Sequence, residues 1–161
     1  VVANPIRTPD GLHRWRRVTQ ITEVRKHWEN DPLLENGFVD LMKYDARTDQ
    51  LEPTDELING DSEILKSIAG NVKEWAGSWD AVWDNIMLRA KMKDTLVDVA
   101  KKANMMNLLE ADFVVLANDQ FHRISDTTLQ DTGTLDSKKI FFGWNEWLKT
   151  QIKKISMKST I

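Results

Sequence analysis

The stretch WRRVTQITEV, residues 15–24, constrains the fold of this chain more than any other. It is rich in β-branched residues, which predicts a strand. The tetrapeptide TPDG before it is typical of a tight turn, because Pro fixes φ at the second position and Gly tolerates unusual φ values. We therefore predict a β-hairpin that pairs residues 1–8 with residues 12–24. The apolar alternation of the long strand is imperfect, so either both of its faces are partly covered or a bulge shifts its phase.

Two further strands follow in the first third of the chain. Residues 25–37 are polar and contain Asp-Pro and Asn-Gly steps, which predicts a connection. The segment FVDLMKY, residues 38–44, is rich in apolar and aromatic residues and predicts the third strand. Residues 50–53 predict a short fourth strand after a turn. We therefore predict a β-rich unit with a hairpin over residues 1–59.

From Gly60 the apolar period changes to that of a helix. Asp61 or Ser62 is the expected N-cap of the first helix, and Ser78 is the expected cap of a second helix over residues 79–103. A third helix is expected from residue 106 or 109 to residue 121. We predict a helical subdomain over 60–124, a polar linker over 125–137, and a basic amphipathic C-terminal helix within 138–161. The fold class is α+β, with an antiparallel sheet followed by helices.

Composition and motifs exclude several functional classes. The chain has no cysteine, so neither a disulfide nor a thiolate metal site is possible, and a formal net charge of −3 gives no reason to expect nucleic acid. No apolar run approaches the ~20 residues that span a bilayer. The patterns GxxxxGK[ST], GxGxxG, HExxH and GxSxG are all absent. We therefore predict no catalytic residue and no metal ligand in this chain.

Arg14, Arg16 and Arg17 stand at the head of the long strand. Guanidinium groups bind phosphate oxygens through paired N–H donors, so these residues are candidates for a nucleotide contact. The alternative is that they pair with acidic residues of neighbouring strands or of a subunit interface. The sequence favours this alternative.

The predicted C-terminal helix combines tryptophans with lysines. Such a helix could lie on a membrane surface or dock in the groove of a partner. The alternative is that its apolar stripe packs on its own domain while the lysines stay in solvent, and the sequence favours this alternative. The candidate docking residues are Trp144, Trp147, Lys149, Lys153 and Lys154.

The order of these elements resembles the C-terminal end of archaeal type II/IV secretion-system ATPases, the motors of the archaellum and of archaeal type IV pili. In that family a hydrophobic strand, a "pDG" turn and an RRV-T-x-I-x-EV strand follow each other, as Val1-Val2, Pro9-Asp10-Gly11 and residues 16–24 do here. Further matches are residues 38–45 with Asp49, then Ser62, Leu65, Ile68 and Ala69, then Trp83, Ile86 and Arg89.

The resemblance covers roughly residues 1–122, and the chain departs from it in two places. The family commonly ends a helix with glycine where this chain has Lys102-Ala103-Asn104, and the tail from Ser125 has no counterpart. The ATP-binding loop, the acidic Mg²⁺ motifs and the histidine motif of the family would all precede Val1. The first residue is Val rather than Met, so we expect a piece of a longer α/β P-loop ATPase.

The resemblance implies a hexameric ring at the cytoplasmic face of the cell membrane. The full enzyme would hydrolyse ATP with Mg²⁺ and drive pilin or archaellin assembly through a membrane platform protein. This chain would provide inter-subunit packing and transmission of motion, without the nucleotide-binding loop. The alternative hypothesis is a non-enzymatic module that docks on a protein or membrane surface.

Overall fold

The computed structural model describes residues 1–158 and confirms the α+β class. Its residues divide into two compact units, Val1–Trp79 and Asp80–Ile161. The first unit contains β1 (Val2–Arg7), β2 (Arg14–Val24), β3 (Phe38–Asp45), β4 (Gln50–Pro53), α1 (Asp55–Ile58) and α2 (Glu63–Ala69). The second contains α3 (Trp79–Lys102, which begins at the boundary), a 3-10 turn (Met106–Leu109), α4 (Ala111–Thr132) and α5 (Ser137–Lys158).

The four strands form one antiparallel sheet in the order β1-β2-β3-β4. The predicted hairpin is confirmed: the Gly11 N–H donates to the Thr8 carbonyl at 2.9 Å, and Gly11 has a φ of +70°. The β2–β3 register shifts between Ile21 and Thr22. In that pairing the extra residue is Leu41 of β3. In β2 itself the extra residue is Thr19, since Val2 pairs with Gln20 and Ala3 with Val18. An extra residue moves the following side chains to the other face, which accounts for the imperfect apolar alternation of the long strand.

Two short helices complete the first unit. Ser62 is the N-cap of α2, as expected, and its hydroxyl accepts the Leu65 N–H at 3.2 Å. Gly60 has a φ of +79°, and a Cβ built on it would lie 2.6 Å from Cγ of the Trp79 ring. Trp79 in turn donates its Nε1–H to the Ile58 carbonyl at 2.9 Å. A side chain at position 60 would therefore displace this ring.

The second unit is built around one apolar core that α3, α4 and α5 share. Residues three or four apart on each helix supply the buried side chains, which is the spacing of one helical face. Among the described residues of this unit, the core cluster comprises Leu88, Met92, Leu96, Ala100, Leu108, Ala117, Phe121, Ile140, Trp144 and Leu148.

The prediction of a linker over residues 125–137 is wrong, because α4 continues to Thr132. The hydroxyls of Ser125 and Thr128 donate to the carbonyls four residues earlier, at 2.8 and 2.7 Å, so these polar side chains are satisfied inside the helix. The helix ends at Gly133, which has a φ of +74° and donates its N–H to the Leu129 carbonyl. Turn-forming composition therefore misidentified a helical segment.

The predicted boundary at residue 59 also differs from the observed one, since α1 and α2 belong to the sheet unit. The reason is a tertiary contact, described below, that joins α2 to β2. The last helix is confirmed, whereas the predicted segment 138–161 extends into residues 159–161, which lie outside the described residues. Among residues 1–158, no helix combines the length and apolarity needed to cross a bilayer.

Candidate functional site

Arg17 is held by an acidic residue of the β3–β4 turn. Its Nε and Nη2 donate to the two carboxylate oxygens of Asp49, each at 2.8 Å, and its Cζ lies 5.6 Å from the centroid of the Trp15 ring. The Tyr44 hydroxyl donates to the same carboxylate at 2.7 Å. The Arg17 guanidinium, followed by the Tyr44 hydroxyl, lowers the pKa of Asp49 to about 2. The arginine fork that could bind phosphate is therefore occupied by a carboxylate.

Arg14 and Arg16 lie on the opposite face of β2 from Arg17, because side chains alternate along a strand. Both are exposed, and Arg14 pairs in register with Arg7 of β1, which is exposed too. Directly paired antiparallel residues share a face, so three arginines meet on one side of the hairpin. Within residues 1–158 none of the three forms an ion pair. We call Arg7, Arg14 and Arg16 the arginine face.

Glu23, near the end of β2, is a buried carboxylate with 4% of its surface exposed. It accepts the Ser62 hydroxyl at 2.5 Å and the N–H groups of Glu63 and Ile64 at 3.0 and 3.3 Å. The carboxylate thus lies at the N-terminus of α2, where backbone N–H groups have no helical partner. Glu23 joins the strand to the helix.

A cation completes this network. Arg25 donates its Nε–H to Glu23 at 3.3 Å and its Nη2–H to the Asp61 carbonyl at 2.6 Å. Burial, the largest single influence, raises the pKa of Glu23, but the hydrogen bonds from Ser62, from Glu63 and Ile64 and from Arg25 together outweigh it and lower the pKa. Glu23 is therefore an ionised structural anchor, and its hydrogen-bonding capacity is used within the unit.

The C-terminal helix places its aromatic residues inward. Trp144 is 2% exposed and donates its Nε1–H to the Ala117 carbonyl at 3.0 Å, so it is not available at the surface for docking. Trp147 is half-buried and stacks on Phe113 with ring centroids 5.9 Å apart. The predicted docking lysines are exposed: Lys149 pairs with Glu146 at 2.6 Å, and Lys153 and Lys154 lie further along α5. The helix follows the packing alternative.

A groove with a volume of about 370 Å³ lies between α3 and α4, and we call it the α3–α4 groove. Trp144 of α5 contributes to its lining. Its two walls are residues of one face of each helix, namely Arg89, Met92, Lys93 and Leu96 from α3 and Val114, Val115, Ala117, Asn118 and Phe121 from α4. The groove is therefore mostly apolar, with two cationic side chains in one wall.

The described residues do not fit an ATP·Mg²⁺ site. In this part of the chain, no group of three or more acidic or histidine side chains is placed to hold a metal ion. The Arg17 fork, a candidate donor for a phosphate, is bonded to Asp49. No step of nucleotide hydrolysis is assigned to these residues.

Sequence reasoning identified the arginines but not their partners. Ser62 was identified as a cap from local pattern, whereas its bond to Glu23 joins residues 39 positions apart. No local signal reveals such a contact. The acidic turn residue Asp49 was part of the family resemblance, and its left-handed φ of +54° is a further local feature, but neither identified Arg17 as its partner.

No protein-family model, no curated protein and no solved structure matches this chain.

Proposed function

We propose that this chain is the C-terminal part of a hexameric archaeal type II/IV secretion-system ATPase, in which it serves inter-subunit packing and transmits ATP-driven motion. The resemblance centred on β2 supports the family. The geometry of β2 supports the role, because some of its charged residues are bonded within the sheet unit and others are exposed.

Two charged residues of β2 are bonded within the sheet unit. Arg17 is bonded to the β3–β4 turn and Glu23 to the start of α2, so the strand, the turn and the helix are joined by charged hydrogen bonds. Such bonds are directional and stronger than neutral ones, which suits an element that has to move as one body. The motif residues therefore act as a coupling element rather than as catalytic groups.

The observation that carries the proposal is the arginine face. Arg7 and Arg14 are directly opposed, and like charges opposed across a sheet destabilise it. An acidic surface of a neighbouring subunit, or the phosphates of a nucleotide bound there, would relieve this repulsion. In the full ring, ATP and Mg²⁺ would bind residues that precede Val1, and a membrane platform protein would receive the motion.

Two measurements test this proposal. The reading frame upstream of Val1 is expected to encode a GxxxxGK[ST] loop, and a start codon directly before Val1 would contradict the proposal. In the full-length product, Arg14→Gln with Arg16→Gln should weaken ring assembly at least about tenfold, measured by light scattering of the size-exclusion peak. Lys138→Gln with Lys139→Gln, which removes two exposed cations elsewhere, should leave assembly unchanged. Equal assembly of both double variants would refute the role of the arginine face.

A second candidate function is a non-enzymatic module that docks on a protein or membrane surface, favoured by the exposed lysines of α5. Removing the helix would not test it, because Ile140, Trp144 and Leu148 are core residues. Replacing Lys149, Lys153 and Lys154 with Gln retains the core and removes the charge. Flotation of this variant and of the parent with phosphatidylserine vesicles decides the membrane case: equal recovery would exclude a lysine-dependent membrane contact.

A further inference from the structure

Each wall of the α3–α4 groove follows one face of a helix. Arg89, Met92, Lys93 and Leu96 lie at positions i, i+3, i+4 and i+7 of α3, so they form one face. The opposite wall repeats this spacing on α4 and ends at Phe121. Each wall is about two helical turns long, and helices pack by placing their side chains between such rows of side chains.

The walls of the groove are apolar residues that the chain itself leaves in solvent. Val114 and Val115 of α4 are 42% and 60% exposed, respectively. Below them lie Met92, Phe121 and Trp144, which are buried and belong to the core. An apolar stripe placed between these walls would therefore extend the existing core, and burial of such surface is the main driving force for helix-in-groove binding.

The charged residues of the groove lining determine which charge a bound partner has to carry. Arg89 and Lys93 are the charged residues of this lining, and both are cations. In the described chain no carboxylate lies within 4.0 Å of either side chain. The Arg89 guanidinium lies 4.6 Å from the centroid of the Phe121 ring, and its Nε–H donates to Asn85 at 3.1 Å. Arg89 is thus fixed in orientation, which lowers the entropy cost of binding a carboxylate.

From these observations we propose that the α3–α4 groove binds an acidic amphipathic helix of a partner protein. The apolar stripe of that helix lies between the valines of α4 and the α3 wall, and its carboxylates pair with Arg89 and Lys93. An apolar helix without charged residues would leave both cations partly desolvated and unpaired. A basic helix would be repelled by them. This inference concerns the second unit and does not depend on the proposed ATPase relationship.

The test uses the whole chain and three dye-labelled synthetic peptides of equal length. The first carries a leucine stripe at helical spacing flanked by glutamates, the second has lysines in place of the glutamates, and the third is a scramble of the first. Fluorescence anisotropy should show saturable binding of the first peptide alone. Equal binding of the first and second peptides, or no binding of the first, would overturn the proposal.

Variants of the groove locate the binding. Arg89→Gln with Lys93→Gln should weaken binding of the acidic peptide at least about tenfold, since hydrogen bonds to charged groups contribute that much. Val115→Asp places a carboxylate on an exposed wall position, where the fold tolerates it, and should have a similar effect. The matched control, Lys101→Gln with Lys102→Gln, removes two exposed cations at the end of the same helix and should leave the affinity unchanged. Equal losses in the control would refute the assignment.

Two other occupants would also overturn the proposal. If the chain dimerises in analytical ultracentrifugation and Val115→Asp abolishes the dimer, a second copy fills the groove. If dodecanoate, an anion on an apolar chain, binds in an Arg89-dependent manner while the acidic peptide does not, the groove is a site for a small amphiphile.

Discussion

The two units of this chain are stabilised by different forces. In the sheet unit the contact that joins β2 to α2 is a buried carboxylate, Glu23, with a hydroxyl and two backbone N–H groups. In the helical unit the equivalent contacts are apolar, and Trp144, Ile140 and Leu148 of α5 lie in the core at 2% exposure or less. The first unit is therefore organised by directional polar bonds and the second by packing.

This difference has consequences for how each unit tolerates change. Apolar packing is non-directional, so a helical core accepts another apolar side chain of similar volume. A buried carboxylate has no such substitute, because every donor around it loses its partner when the charge is removed. We expect the sheet unit to fail through the loss of single polar groups and the helical unit through the loss of volume.

The largest expected effect is in the helical core. Trp144→Ala should lower the free energy of opening of this unit by about 3–5 kcal/mol, because it removes a large buried ring and leaves a cavity. Hydrogen exchange of peptides from α3, α4 and α5, followed by mass spectrometry, measures this local stability. Trp144→Phe keeps a ring but loses the donor to Ala117, and should cost less.

The matched control for this substitution is Phe142→Ala on the same helix. Phe142 is 67% exposed, and truncation there should change stability by no more than about 0.5 kcal/mol. Similar losses in Trp144→Ala and Phe142→Ala would show that α5 is not packed as described.

The second effect tests the polar anchor. Glu23→Gln should lower the stability of the sheet unit by about 3 kcal/mol. The side-chain NH₂ of the introduced Gln is a donor and would face other donors, and the Arg25 guanidinium would lose its buried anionic partner. The loss should appear in the exchange of β2 and α2 while the peptides of α4 and α5 remain unchanged. If the loss spread equally over both units, their separate stabilisation would be refuted.

Glu63→Gln is the control, since its side chain lies beside the network but is 50% exposed. A half-exposed pair contributes roughly 0–1 kcal/mol, so this variant should be close to the parent. An equal effect of Glu63→Gln and Glu23→Gln would indicate that burial is not what makes the anchor strong.

The sequence predicted the elements better than the contacts between them. Turn chemistry at Thr8–Gly11, caps such as Ser62 and apolar periods are local properties, and they identified the four strands, α2, α3 and α5. The polar stretch after Ser125 failed because hydroxyl side chains can bond to their own helix, which composition does not reveal.

The candidate site was less accessible to sequence reasoning. Arg17 was identified by its chemistry, but its partner Asp49 lies 32 positions away and depends on the sheet register. Trp144 was a docking candidate because the sequence of α5 combines tryptophans with lysines. The sequence could not show which side of that helix faces the core, and the structure turns the ring inward.

The smallest expected effect is the acid response of the sheet unit. Glu23, Asp40 and Asp49 all have a pKa below the ordinary value in the folded state, so the unfolded chain binds more protons as the pH falls. Their contribution is complete above the ordinary values of 4.5 for Glu and 3.8 for Asp, and for Asp49 it is lost as the pH falls towards about 2. Urea unfolding followed between pH 6 and pH 2 should show this decline. In Asp49→Asn the free energy of unfolding should depend less on pH below about pH 4 than it does in the parent.

Because the Arg17–Asp49 pair is partly exposed, 0.5 M salt should also reduce the difference in stability between parent and variant. Identical slopes for parent and variant would mean that Asp49 does not hold Arg17 in solution, which would leave all three arginines of β2 free for a partner.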